Sequence, residues 1–194
     1  MGVERGNIQA NDIDPMKSCT TLNVLPDDVR YLPIQLAGAE PGELADLLQG
    51  RLLLGYWIPA AQVAAVAWQV ILKFSSDVSI EIACSNTVVE RWEAFGSVNV
   101  EVLACDIADF ACASAIHELP KGLCVARTEI VRWKSAGLIV DAGIRLQLSD
   151  GRTLTAVALD APGAMCLTLP GDTDPQSWQF PAHEYVYVAK DEGG

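Results

Sequence analysis

The feature that most constrains the fold is a stretch of 21 residues without a charged side chain, LLLGYWIPAAQVAAVAWQVIL, between Arg51 and Lys73. A bilayer core needs about 20 apolar residues in a helix, so the stretch has the length of a membrane span. It contains Pro59, however, and a proline restricts the preceding residue to extended geometry. Gln62 and Gln69 would also need hydrogen-bond partners inside lipid. We therefore predict two buried strands with their connection, and no membrane interaction.

The clearest local signal is GIRLQLSDGRTLTAVAL, which runs from Gly143 to Leu159. Apolar and polar residues alternate in it, as in a half-buried strand. Asp150-Gly151 interrupts the alternation with the residue types of a type I′ turn, in which both central residues have positive φ. The pattern predicts a β-hairpin. Similar alternation around the segment 75–77 predicts a second hairpin, with strands in WQVILKF and VSIEIAC.

The two hairpins belong to stretches that align with each other, Leu48–Ser85 and Leu119–Asp160, at an offset of about 72 residues. We interpret the match as an internal repeat. The fold class predicted is mainly β, with α+β at the margin: two related antiparallel meanders of about four strands each, and one or two short helices. Such strands form a sandwich, a barrel or one long curved sheet, and the sequence leaves these alternatives open.

The domain organisation follows from this interpretation. Residues 1–40 are predicted to be an extended or partly ordered N-terminal arm, 41–105 the first β-rich repeat, 106–118 a linking helix and 119–190 the second β-rich repeat, within one compact domain. Pro41 and Gly50 bracket a further short helix, since proline favours a first turn and glycine the position after a helix.

The charge balance narrows the classes of partner. There are 13 basic and 25 acidic residues, which gives a formal net charge of -12. Such a field repels phosphates and anionic lipid, so no nucleic acid is expected, whereas a basic protein partner is favoured. The six cysteines form no C-x-x-C pair, and the first residues lack the apolar core of a signal peptide. We therefore expect a cytoplasmic protein; the sequence does not indicate its oligomeric state.

Motifs for catalysis, phosphate binding or metal binding are missing from the sequence. His117 and His183 are each followed by glutamate, but neither belongs to an H-E-x-x-H motif. Cys105, Cys112 and Cys124 are spaced too widely for the ligand pairs of structural zinc. We predict no catalytic residue, no metal site and no cofactor.

Four aromatic residues near the second repeat are candidate partner-binding residues: Trp133, Trp178, Tyr185 and Tyr187. Tryptophan and tyrosine combine a large apolar area with a polar group, which suits an interface. In a β-rich protein of this size the same residues commonly belong to the core. The sequence does not decide between the two roles.

Residues 143–188 resemble a pattern of small bacterial β-rich proteins, some of which are immunity proteins that neutralise a toxin. The resemblance rests on the hairpin, the Pro-Gly turn at 170–171 and the strand in HEYVYV. It implies a non-catalytic protein-binding module, most concretely an acidic immunity-type antidote. Two alternatives stay open: a small-molecule-binding or metal-dependent enzyme with its site in the loops, and a self-assembling structural or accessory protein.

Overall fold

The computed structural model describes residues 22–39, 41–89, 94–103, 116–172 and 178–189. It confirms a mainly β fold with one α-helix among the described residues, α1, at Pro41–Leu48. The first strands are β1 (Asn23–Val24), β2 (Arg30–Leu32), β3 (Gln35–Ala37), β4 (Leu53–Trp57), β5 (Gln69–Phe74), β6 (Ser79–Val88) and β7 (Ala94–Leu103). The others are β8 (Ile116–Glu118), β9 (Val125–Ser135), β10 (Leu138–Leu148), β11 (Thr153–Ala158), β12 (Met165–Thr168) and β13 (Tyr185–Ala189).

The strands form two sheets, which we call sheet I and sheet II. Sheet I contains β1, β2 and β9 to β13; sheet II has the order β3-β7-β6-β5-β4-β8. Each contains a four-strand antiparallel meander, β9 to β12 in one and β4 to β7 in the other. Both sheets are nevertheless mixed, because β2 pairs with β10 and β3 pairs with β7 in parallel.

The uncharged stretch forms β4, a connecting loop and most of β5, as predicted. Val70, Leu72 and Phe74 of β5 are fully buried in a core to which both sheets contribute. Within the described ranges, no helix is long and apolar enough to cross a membrane.

Both predicted hairpins form, but the turn at Asp150-Gly151 differs from the expected type. Of the two residues, only Gly151 has positive φ, at 86°, and Leu148 closes a three-residue loop by donating its N–H to the carbonyl of Arg152. Asp150 instead accepts the N–H of Arg152 through its side chain. The other hairpin has two left-handed residues, Ser76 and Asp77.

The predicted helix at 41–50 is confirmed, and Gly50 ends it with a φ of 78°. The predicted linking helix at 106–118 falls largely outside the described residues. Its last three residues, Ile116–Glu118, are not helical but form β8, because they pair with the exposed edge of β4. In the predicted N-terminal arm, the described residues form β1, β2 and β3.

The internal repeat stays a prediction. The meanders match in strand number, but the strands added to them differ: β3 pairs with β7 in parallel, whereas β13 pairs with β9 antiparallel.

Candidate functional site

A cavity of about 380 Å³ lies between α1, the chain around β2 and β3, and the face of sheet I that packs towards sheet II. Most of its wall is apolar, made of Ile34, Leu36, Leu44, Ile130, Ile144 and Val188. Five polar residues also line it: Tyr31, Thr128, Glu129, Arg132 and Asp141. This volume and this composition are typical of a small-molecule site.

The polar groups at one end of the cavity form a closed network around Asp141. Arg132 lies opposite Asp141 on β9 and β10 and donates from Nε to Oδ1 at 2.6 Å and from Nη2 to Oδ2 at 3.3 Å. The hydroxyl of Tyr31 donates to Oδ2 at 2.7 Å, and the N–H of Ile34 donates to the same oxygen at 3.0 Å. The network therefore ties β2 and the chain that follows it to β9 and β10.

Burial shapes the electrostatics of this network, because the side chain of Asp141 is 1% exposed. Burial alone would lower the pKa of Arg132, but the hydrogen bond and charge of Asp141 more than offset it and raise that pKa. Burial, helped by the charge of Asp141, raises the pKa of Tyr31. At neutral pH the tyrosine is thus uncharged, and the arginine and the aspartate neutralise each other.

Two residues that line the cavity carry donor groups without a hydrogen-bond partner among the described residues. Nη2 of Arg132 donates to the Tyr31 hydroxyl at 2.7 Å, and no hydrogen bond or ion pair among the described residues uses Nη1. At Thr128, Oγ1 is buried and has no hydrogen-bond partner in the described part of the chain. Because buried polar atoms are normally hydrogen-bonded, the hydroxyl of Thr128 is a candidate contact for a bound molecule.

The four aromatic residues singled out from the sequence come together on the opposite, outer face of sheet I. Tyr185 pairs with Trp133, and Tyr187 with Val131. Trp133, Trp178 and Tyr185 are buried, at 8%, 5% and 6% exposure. Tyr187 is partly exposed, and the guanidinium of Arg145 lies 4.1 Å from its ring centroid. Partner binding by these residues stays a prediction. Of the four, Tyr187 is the one whose side chain is partly exposed to solvent.

Phe180, which the sequence analysis did not select, organises this aromatic cluster. Its ring stacks on Trp133 with centroids 3.9 Å apart and planes 5° apart. Its N–H donates to the hydroxyl of Tyr185 at 3.1 Å, while Nε1 of Trp133 donates to Glu184 at 3.0 Å. The alternation of Tyr185 and Tyr187 indicated a strand face, but nothing local indicated that the loop before it folds back onto Trp133.

A buried carboxylate lies on the same outer face. Glu129 is 4% exposed, and its carboxylate accepts from Nε2 of Gln147 at 3.1 and 3.2 Å. Arg127 and Arg145 form ion pairs with it at 3.6 and 3.8 Å. Its charge is thus matched by its neighbours on the outer face.

The loop between β4 and β5 presents exposed apolar side chains. Val63, Val66 and Trp68 are 60%, 51% and 53% exposed. The backbone of this loop is fixed, because Ala67 and Met165 of β12 exchange both N–H···O bonds. Trp68 is therefore exposed on a loop whose backbone is fixed. We call Val63, Val66 and Trp68 together the Trp68 loop.

The described residues contain no group of three or more His, Cys, Asp or Glu side chains arranged to hold a metal ion. No family model matches this sequence, and no curated protein and no solved structure matches it.

Proposed function

We propose that this protein is a non-catalytic binding protein that holds a small, mostly apolar molecule in the cavity beneath α1. The observation that carries the proposal is the cavity itself: about 380 Å³ of space with an apolar wall and a few polar groups. Well-formed pockets of this kind are the usual sites of small ligands.

Binding rather than proton transfer is supported by the state of the polar groups. Asp141 accepts four hydrogen bonds, from Arg132, Tyr31 and the backbone of Ile34. A general acid or base needs a proton that can move to or from a substrate. Side chains that satisfy one another in this way instead hold the wall of the cavity in shape.

A cavity-filling variant tests the proposal. Ala45 lies on α1, lines the cavity and is partly exposed, so Ala45→Phe would place a ring in the cavity from the helix. The probe is N-phenyl-1-naphthylamine, an uncharged dye that fluoresces in apolar sites. We expect one saturable site in the wild type and at least about tenfold weaker binding in the variant.

The matched control is Ala161→Phe, which makes the same change at an exposed residue of the turn between β11 and β12. It should bind the dye as the wild type does. Circular dichroism and thermal unfolding verify that both variants fold. Unchanged dye affinity in folded Ala45→Phe would refute the cavity as the binding site.

The second candidate function is protein binding by an acidic antidote of the immunity type. The Trp68 loop favours it, since an exposed tryptophan flanked by valines on a fixed backbone suits an interface anchor. The net charge of -12 would speed the approach of a basic partner at low salt. We put this function second because the Trp68 loop offers exposed apolar side chains alone, whereas the cavity offers a volume of about 380 Å³ lined by both apolar and polar residues.

This candidate is tested by affinity capture from a soluble extract at low and high salt, with mass spectrometry of the retained proteins. Support would be one stoichiometric basic protein that salt weakens and that Trp68→Ser no longer retains. The control is Val24→Ser, which also removes an exposed apolar side chain, 60% exposed, but lies on β1. Equal retention by wild type and Trp68→Ser would remove the loop from the interface.

A further inference from the structure

We infer that the cavity takes an uncharged, elongated molecule with a hydrogen-bond acceptor, such as an amide or ketone oxygen, at its Arg132 end. The inference deepens the proposed function and rests on it. It follows from the unused donors of Arg132, from the charge balance around them and from the position of Thr128 along the same strand.

The N–H groups of Arg132 that have no partner determine which chemical group of a ligand can bind beside them. Nη1 of Arg132 has two N–H groups and no partner among the described residues. A guanidinium donates hydrogen bonds and accepts none. A ligand group beside Nη1 must therefore be an acceptor, and a donor-only group such as an ammonium would leave both sets of hydrogens facing each other.

The charge balance selects a neutral acceptor over an anionic one. The charge of Arg132 is already neutralised by Asp141, whose Oδ1 lies 2.6 Å from Nε. A carboxylate would lose its hydration, gain no unpaired positive charge and lie near the Asp141 carboxylate. Gly42, in the N-terminal turn of α1, also lines the cavity, but the charge of Glu43 in that turn opposes an anion there. A neutral oxygen avoids all three penalties.

The length of the site follows from strand geometry. Thr128, Ile130 and Arg132 alternate along β9 and line one wall. A strand rises about 3.3 Å per residue, so the Cα atoms of Thr128 and Arg132 are about 13 Å apart. Between these two polar residues lies the apolar wall of Ile130, Ile144 and Val188. The shape suits a chain-like ligand whose far end reaches the unpartnered hydroxyl of Thr128.

Three eight-carbon probes that differ only in the head group test the inference on the wild-type protein. Octanamide carries a neutral acceptor, octanoate an anionic acceptor and octylammonium a cationic donor. Each is titrated against bound N-phenyl-1-naphthylamine. We expect octanamide to displace the dye with an affinity at least about tenfold higher than that of octanoate or octylammonium. Equal or tighter binding of octanoate would overturn the choice of a neutral ligand.

The variant Arg132→Lys tests whether Arg132 is the residue that causes the preference for octanamide. Lysine keeps a positive charge to pair with Asp141 but has one nitrogen in place of three, so it has no counterpart of Nη1. We expect the variant to lose the preference for octanamide, measured as the ratio of the octanamide and octanoate affinities within each protein, so that a change in dye affinity does not enter the comparison. If the variant still prefers octanamide, a group other than Arg132 binds the amide. Loss of dye binding in Ala45→Phe supports the cavity independently, so failure of the head-group series and failure of the proposed function give different results.

Discussion

Arg132 and Asp141 face each other on β9 and β10, with Nε 2.6 Å from Oδ1. The exposure of their side chains, 15% and 1%, shows that the pair is largely withdrawn from water. Because desolvation offsets much of the attraction, a buried pair adds little net stability, but the loss of one partner leaves the other charge unpaired. The pair thus specifies geometry: it fixes the β9–β10 register and positions Tyr31 at the cavity.

Asp141→Asn is expected to lower the free energy of unfolding by about 3 kcal/mol, because it leaves the buried guanidinium of Arg132 without a counter-charge. Urea unfolding followed by circular dichroism measures the change. The control is Asp28→Asn, which removes an ion pair with Arg30 at 3.0 Å whose carboxylate is 76% exposed. Asp28 has a φ of 59°, which asparagine tolerates, so the control should change by less than about 0.5 kcal/mol. Equal effects of the two substitutions would contradict a buried pair at Asp141.

The Arg132–Asp141 pair could have been found in the sequence. The two residues lie symmetrically about Ala136-Gly137, and a two-residue turn there places them opposite each other on the two strands. Tyr31 could not have been found this way, because it lies 110 residues from Asp141 and no local pattern relates them. The cavity is formed by β9 and β10 together with the chain around Tyr31. The pairing of β9 with β10 could be predicted from the sequence, whereas the position of Tyr31 could not.

The same distinction explains the fold. Alternation and turn residues predicted the hairpins β5–β6 and β10–β11, and Pro41 and Gly50 predicted α1. The parallel strands β2 and β3 have three residues each, too few to show a period, and their partners lie far along the chain. Tertiary pairing also makes Ile116–Glu118 a strand, although the preceding sequence favours a helix.

Glu81→Gln should stabilise the protein at pH 8 but not in acid. Burial raises the pKa of Glu81, Gln69 lowers it through a hydrogen bond, and Glu101, opposite on β7, raises it. Because the folded chain binds this proton more tightly than the unfolded chain, stability is lost as the pH rises through the folded pKa. Glutamine removes that loss. Below about pH 4 the carboxyl is protonated in both states, and the advantage should disappear.

Urea unfolding of wild type and variant at the two pH values gives this difference directly. Glu101→Gln is the control: it removes the like charge opposite Glu81 but leaves Glu81 partly buried, so its gain at pH 8 should be smaller. A Glu81→Gln variant no more stable than the wild type at pH 8 would contradict the raised pKa.

Cys84 should resist alkylation in the folded protein. Its side chain is 6% exposed, and burial raises the pKa of the thiol to about 12. Since the thiolate is the reactive form, iodoacetamide at pH 8 should leave Cys84 unlabelled while it labels the partly exposed Cys124. Peptide mass spectrometry separates the two sites, and both should be labelled in urea. Equal native rates at the two cysteines would show that the β6 side of the core is open.

Gly96 and Ala158 mark a point of close approach between the two sheets. A Cβ placed on Gly96 would lie 2.7 Å from Cβ of Ala158, which is too close for two carbon atoms. Gly96→Ala should therefore destabilise the fold by about 1–3 kcal/mol, as overpacking does. Ala158→Gly should relieve the clash, so that the double variant is more stable than Gly96→Ala alone.

The rescue is specific to this contact. Ala156→Gly removes a methyl group two residues away on the same face of β11 and makes no room for a side chain at residue 96, so it should add to the loss caused by Gly96→Ala. Urea unfolding of the two double-mutant cycles compares the couplings. If Ala158→Gly and Ala156→Gly combine with Gly96→Ala in the same additive way, sheets I and II do not meet at this point. A favourable coupling with Ala158 alone places β7 directly over β11.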